Sequence, residues 1–217
     1  MPASATLPSL EDQAARLLSL GLAERAGISV DELREATRAG VADALLVVHS
    51  DRLRATTLTP FLRHRGKAGF VVTDMTDVDE FTPVQEAAPP AADVYLVTAI
   101  DRGDHLANWS PDEALPAILD AHRTPLTLSE GLQWLLHQPD ALERNRCFMT
   151  IGSRLRTGNE LDARTPAIWI SNGTGRDGGA NRDAPKVGWC WAGNRHTWLG
   201  FASASRRLSC GSRRAER

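Results

Sequence analysis

Asn194, Arg195 and His196 follow Gly193 in a row and offer a hydrogen-bonding amide, a fixed cation and an imidazole that titrates near neutral pH. At the tip of a turn, such a trio can hold an anionic ligand. Trp189, Trp191, His196 and Trp198 flank it, and an aromatic face can stack a base, a sugar or a cation. The same rings serve equally well as core, since cross-strand aromatic pairs stabilise sheets by roughly 0.2–1 kcal/mol each. Farther back, Gly173-Thr174-Gly175-Arg176-Asp177 resembles an anion-holding turn, although no amphipathic helix follows it. The binding candidates are therefore Asn194, Arg195, His196, Arg176, Asp177 and Trp191.

A second set could move protons. Asp101, Asp104 and His105 follow a predicted strand, where open α/β sheets place ligands, and an Asp/His pair supports acid-base chemistry. Asp74, Asp77, Asp79 and Glu80 are closely spaced carboxylates of the kind that hold Mg²⁺ or Ca²⁺, but they match no EF-hand loop and suit a helix start or solvated loop. The six histidines are too widely spaced for H-E-x-x-H, and Cys147, Cys190 and Cys210 form no CxxC. G-x-S-x-G, the P-loop and the dinucleotide fingerprint are missing as well. No metal, cofactor or catalytic residue is assigned on these grounds.

These groups need elements to position them. Ser9 is placed to cap a helix with Leu10, Ala14, Leu17, Leu18 and Leu22 at helical spacing, and Ser29 with Glu32 makes a capping box for another, stopped at Gly40. Ala44 to Val48 reads as a buried strand. Thr59-Pro60 predicts a helix start, with an end near Gly66. Gly69 to Thr73 and Tyr95 to Ala99 are further strand candidates. Ser110-Pro111-x-Glu113 and Thr127-x-x-Glu130 are two more capping boxes, the second opening a helix that Pro139 ends.

Past residue 140 the pattern changes to strands and loops. Phe148 to Ile151, Ala167 to Ser171, Val187 to Ala192 and Thr197 to Ala202 are short apolar or aromatic runs. Residues 172–185 form a long glycine-rich loop, a candidate for function. Gly193-Asn194 reads as a two-residue hairpin turn, which would put Trp189, Trp191, His196 and Trp198 on one face. From residue 206 a basic tail is expected to fray.

The fold class expected is mixed α+β: N-terminal helices, a central mixed sheet and a C-terminal antiparallel hairpin, with residues 1–205 as one domain and 206–217 as the tail. The 42% hydrophobic and 24% charged composition is that of a globular chain. No apolar run could span a bilayer, and Met1-Pro2-Ala3-Ser4 lacks the layout of a signal peptide, so a cytoplasmic protein with no membrane partner is expected. The first 140 residues carry 21 acidic and 11 basic side chains, the rest 6 and 14. That asymmetry suits either an anion-binding surface or two halves that neutralise each other, and the scattered basic residues argue against nucleic acid.

Several stretches carry a resemblance: Gly69-Phe70-Val71-Val72, Asn108-Trp109-Ser110-Pro111, Arg123 to Thr127, Cys147 to Thr150, and Pro185 to Gly200. Through them the chain resembles, over nearly its full length, a family of actinobacterial proteins catalogued as a domain of unknown function. The resemblance implies a bacterial cytoplasmic setting, which suits 23 arginines against two lysines, and carries over no functional residue. Three functions stay open. One is a non-catalytic ligand- or protein-binding domain, built on the hairpin and the glycine-rich loop. Another is a hydrolase-like enzyme using His196 or His105 with Asp101 or Asp104, and Arg176 or Arg195 on an anionic substrate. The third is nucleic-acid binding through the basic final third.

Overall fold

The computed structural model describes residues 6–210. Ser9 caps α1 (Leu10–Ser19), its hydroxyl accepting from the Asp12 N–H at 3.1 Å. The apolar repeat running to Leu22 is divided, with α2 (Leu22–Ala26) a separate helix, and α3 (Val30–Thr37) starts at the Ser29/Glu32 capping box. Next comes β1 (Ala44–Val48), buried at every position, and then the short α4 (Ala55–Leu58).

The expected helix from Thr59 to Gly66 is absent. Pro60 lies in a 3₁₀ turn that ends α4, and the chain then forms β2 (Arg63–His64) and β3 (Lys67–Ala68). Arg65 and Gly66 join them with φ of 48° and 76°, the doubly positive turn that matches strand twist and that glycine adopts without strain. β4 (Phe70–Val71) is shorter than its apolar run, and β5 (Val94–Thr98) follows. Both remaining capping boxes are fully made, at α5 (Pro111–Asp120) and α6 (Leu128–His137). The last strands are β6 (Cys147–Met149), β7 (Arg164–Ile170), β8 (Pro185–Trp191), β9 (Leu199–Phe201) and β10 (Arg206–Ser209).

The fold is α+β. Five strands form a mixed sheet in the order β9-β6-β7-β8-β4, antiparallel at β6/β7 and β7/β8 and parallel at both edges. Three more form an antiparallel sheet, β1-β5-β10. Helix α6 packs against both sheets and is buried along its whole length. Gly131 permits the approach to the larger sheet, since a Cβ there would stand 2.6 Å from Thr150 Cγ2 and 3.3 Å from the Phe148 ring.

On its other side, α6 helps finish the edge of β1. The Gln133 side chain accepts from the Val48 N–H and donates to the Val48 carbonyl, both at 2.8 Å. Gln13 of α1 does the same for Leu46 N–H and the Ala44 carbonyl, also at 2.8 Å. Two glutamines thus stand in for a missing neighbouring strand, so a buried edge keeps its backbone groups paired.

Two expectations are corrected here. The chain does not fray at 206: β10 pairs with β5, because the Arg207 guanidinium enters the core and donates to Glu130 at 2.6 and 2.8 Å, with side chains 7% and 0% exposed. The remainder of the expected tail, residues 211–217, and the N-terminal Met1 to Ser4 lie outside the described residues.

The Gly193-Asn194 hairpin is also not formed. Neither residue takes a positive φ, and residues 192–198 cross over to β9, which pairs in parallel with β6. β8 pairs with β7 along its length and with β4 only at Lys186 and Val187, and the chain beyond it is instead held by backbone bonds from Asn108 and from Asp112 of α5 to the His196 and Ala192 carbonyls. Without the hairpin, the four rings fall into two groups. Trp189 and Trp191, two residues apart on β8, touch edge to face at 4.6 Å, while His196 packs on Trp198 at 5.4 Å and Trp198 on Trp169 at 6.3 Å.

Candidate functional site

At the start of β8, residues 172–184 fold over the β4 edge and enclose a cleft of about 290 Å³ lined by Phe70, Val72, Thr73, Asp74, Thr174, Arg176, Asp177, Asn181 and Lys186. Lys186 and Phe70 are paired across β8 and β4, which plants the lysine at the sheet edge. Its ammonium lies 2.7 Å from an Asp177 oxygen and 4.9 Å from the centre of the Trp169 ring. Asp177 also accepts from Ser171 Oγ at 2.7 Å. Burial alone would raise the Asp177 carboxyl; the hydrogen bonds from Lys186 and Ser171 outweigh it and hold the group below the ordinary carboxylate range.

The two ion pairs in the cleft differ. Lys186 and Asp177 are only 16% and 12% exposed, and the cation rests on a tryptophan face. Arg176 and Asp74 meet at 2.9 Å but are 77% and 42% exposed, so their pairing is worth at most about 1 kcal/mol. The first pair is fixed and the second is easily opened.

The loop that closes the cleft is irregular but anchored. Arg144 donates to Asn172 and Asp183, His64 Nδ1 lies 2.7 Å from the Asp183 carbonyl, and Lys67 Nζ donates to the Ala180 carbonyl at 3.3 Å. The β2–β3 hairpin therefore supports the loop from outside. Asn181 Nδ2 ties it from within, donating to the Asp177 carbonyl at 2.8 Å.

Of the binding candidates read from the sequence, Arg176 and Asp177 reach this cleft, and Asp74 of the carboxylate cluster joins them. Asn194 and Arg195 lie beyond the opposite end of β8, a strand of seven residues and hence roughly 20 Å long. There the turn is tied down by the N-terminus of α5. Arg195 binds Glu113, the capping carboxylate, while Asn108 N–H donates to the His196 carbonyl at 2.9 Å and Asp112 N–H to the Ala192 carbonyl at 3.2 Å. His196 Nε2 is buried without a partner, and burial lowers the imidazole pKa. Trp191 is exposed at 48% and stands on the sheet beside Arg164 of β7.

The acid-base candidates form a third location. Asp101 and His105 are 3.9 Å apart and both exposed, and Asp104 is occupied by Arg102 at 2.8 Å and Arg146 at 2.7 Å. The clustered carboxylates disperse to separate partners: Asp74 to Arg176, Asp77 to Arg164, and Asp79 to Thr56. Among the described residues, no three His, Cys, Asp or Glu side chains converge as a metal site, and no helix is long and apolar enough to cross a membrane. Burial pushes the Cys147 and Cys190 thiols up to about 11, so neither is a thiolate at neutral pH.

Thr174 belongs to the glycine-rich turn read from the sequence, while Lys186, Asn181 and Thr73 line the cleft without having been singled out there. One signal was available: Lys186 is one of two lysines among 25 basic side chains. No curated protein and no solved structure matches this chain. Residues 16–210 match the profile of the family of unknown function DUF5701, and the chain belongs to that family.

Proposed function

We propose that this protein is a ligand-binding domain that takes a small charged molecule in the cleft between β4 and the 172–184 loop. The observation that carries the reading is convergence: residues 70–74, 174–181 and 186 meet around one cavity, with a nearly buried Lys186–Asp177 pair at its base. Near-buried charges are costly unless paired, and an ion pair facing a cleft is a common mark of a binding site. Each cleft cation already faces a carboxylate, which favours a small molecule over a phosphate backbone. The setting proposed is the cytoplasm of an actinobacterium, supported by the arginine bias and three free thiols.

A thermal-shift screen against small carboxylic acids, amines, amino acids and sugar phosphates tests the proposal. A ligand at a hundred times its Kd stabilises the folded state by about 2.7 kcal/mol. The paired variant Lys186→Met with Asp177→Asn removes both charges together and so keeps the fold, and it should lose the shift. A parent protein that responds to no member of the screen, or a paired variant that responds equally, would overturn the reading.

A further inference from the structure

Resting on that cleft, we infer that its ligand is a small zwitterion of the α-amino acid type with an apolar side chain. The Lys186–Asp177 pair is a fixed charged wall of the cleft: the Asp177 oxygens accept from Lys186 and Ser171, and the ammonium rests on Trp169, so the two charges face the cavity without parting. What remains exchangeable is Arg176 and Asp74, joined at 2.9 Å and largely open to water. A lone anion would take Arg176 and leave Asp74 unpaired beside it, and a lone cation would do the reverse. A molecule with carboxylate and ammonium on one carbon satisfies both at once, inserting between the two side chains and replacing one solvated contact by two.

Geometry and size agree with that occupant. The guanidinium is a planar fork suited to bidentate carboxylate recognition, while Asp74 accepts from an ammonium. Thr73 and Thr174 supply hydroxyls nearby, and Phe70 and Val72 form an apolar wall for a side chain. At about 290 Å³ the cleft is at the small end of ligand pockets, which run from about 300 Å³ upward, a size that suits an amino acid.

Isothermal titration with L-leucine, L-valine and L-phenylalanine, beside leucinamide, N-acetyl-leucine and inorganic phosphate, tests the inference. The free amino acids should bind, and blocking either charged end should weaken binding on the order of tenfold to a hundredfold. Arg176→Gln should lose the discrimination between leucine and leucinamide, and Asp74→Asn that between leucine and N-acetyl-leucine; both sites are exposed, so the fold is retained. Blocked forms that bind as well as the free ones would overturn the zwitterion. So would phosphate, or a simple acid or amine from the screen, binding in the absence of the amino acids, with the cleft reading left standing if Lys186→Met/Asp177→Asn abolishes it. No binding by any probe would remove both.

Discussion

The base of α6 and the β4 cleft each hold a low-exposure ion pair, and their surroundings are opposite. Arg207 and Glu130 are enclosed on every side: Glu130 also takes the Tyr95 hydroxyl at 3.0 Å and completes the capping box at Thr127, and Arg207 donates to Thr124 and the Pro125 carbonyl. Lys186 and Asp177 have one side packed on Trp169 and the other facing open space. The same chemistry therefore clamps the C-terminal strand in one place and lines a site in the other. The difference is whether protein fills the last coordination positions.

The largest expected effect tests the clamp. Arg207→Met leaves Glu130 buried and unpaired and should cost roughly 3–5 kcal/mol by urea unfolding. Lys186→Met with Asp177→Asn, which leaves no unpaired charge, should cost far less. Equal losses would erase the contrast between the two regions.

Comparable in total, but spread over several pH units, is an effect at the far end of α6. His137 is buried with both ring nitrogens unpartnered, and burial, aided by the nearby Arg16, lowers its pKa to about 3. The unfolded chain protonates near 6.5, so this contribution is complete above that pH, falls by up to about 1.4 kcal/mol per unit as pH drops, and is gone below about 3. His137→Leu should flatten that acid limb of the stability profile. An unchanged limb would assign it to other groups.

Smaller effects sharpen the picture at the sheet edge and the turn. Gln133→Leu orphans the Val48 N–H and carbonyl and should destabilise by about 1–3 kcal/mol in the same unfolding assay. Arg195→Ala should leave the unfolding midpoint near the parent's and cleft binding untouched, since its partners among the described residues are the exposed Glu113 and the Asn108 carbonyl. Loss of binding in that variant would return the site to the 192–196 turn.

The helices were legible because their signals are local: Ser29/Glu32, Ser110/Glu113 and Thr127/Glu130 each announce and form a cap within four residues. Strand pairing is not local. Nothing around Gly193-Asn194 tells that the chain after it crosses over to pair in parallel with β6, while the real two-residue turn, Arg65-Gly66, carries an arginine in place of the usual asparagine. Arg207 looked like tail composition because its partner, Glu130, is 77 residues away. The cleft was half legible: Arg176 and Asp177 stand in a glycine-rich loop, but Asp74 and Lys186 join them only through the parallel pairing of β4 with β8.

The central claim is that open coordination at the cleft, and not the tryptophan-rich turn, is where a ligand enters. Amide chemical-shift mapping of isotope-labelled protein titrated with L-leucine tests it most directly. Shifts should concentrate at Thr73, Asp74, Thr174, Arg176 and Asn181 and spare Glu130, Arg195 and Arg207. Shifts centred on residues 192–196, or none within the cleft, would contradict it.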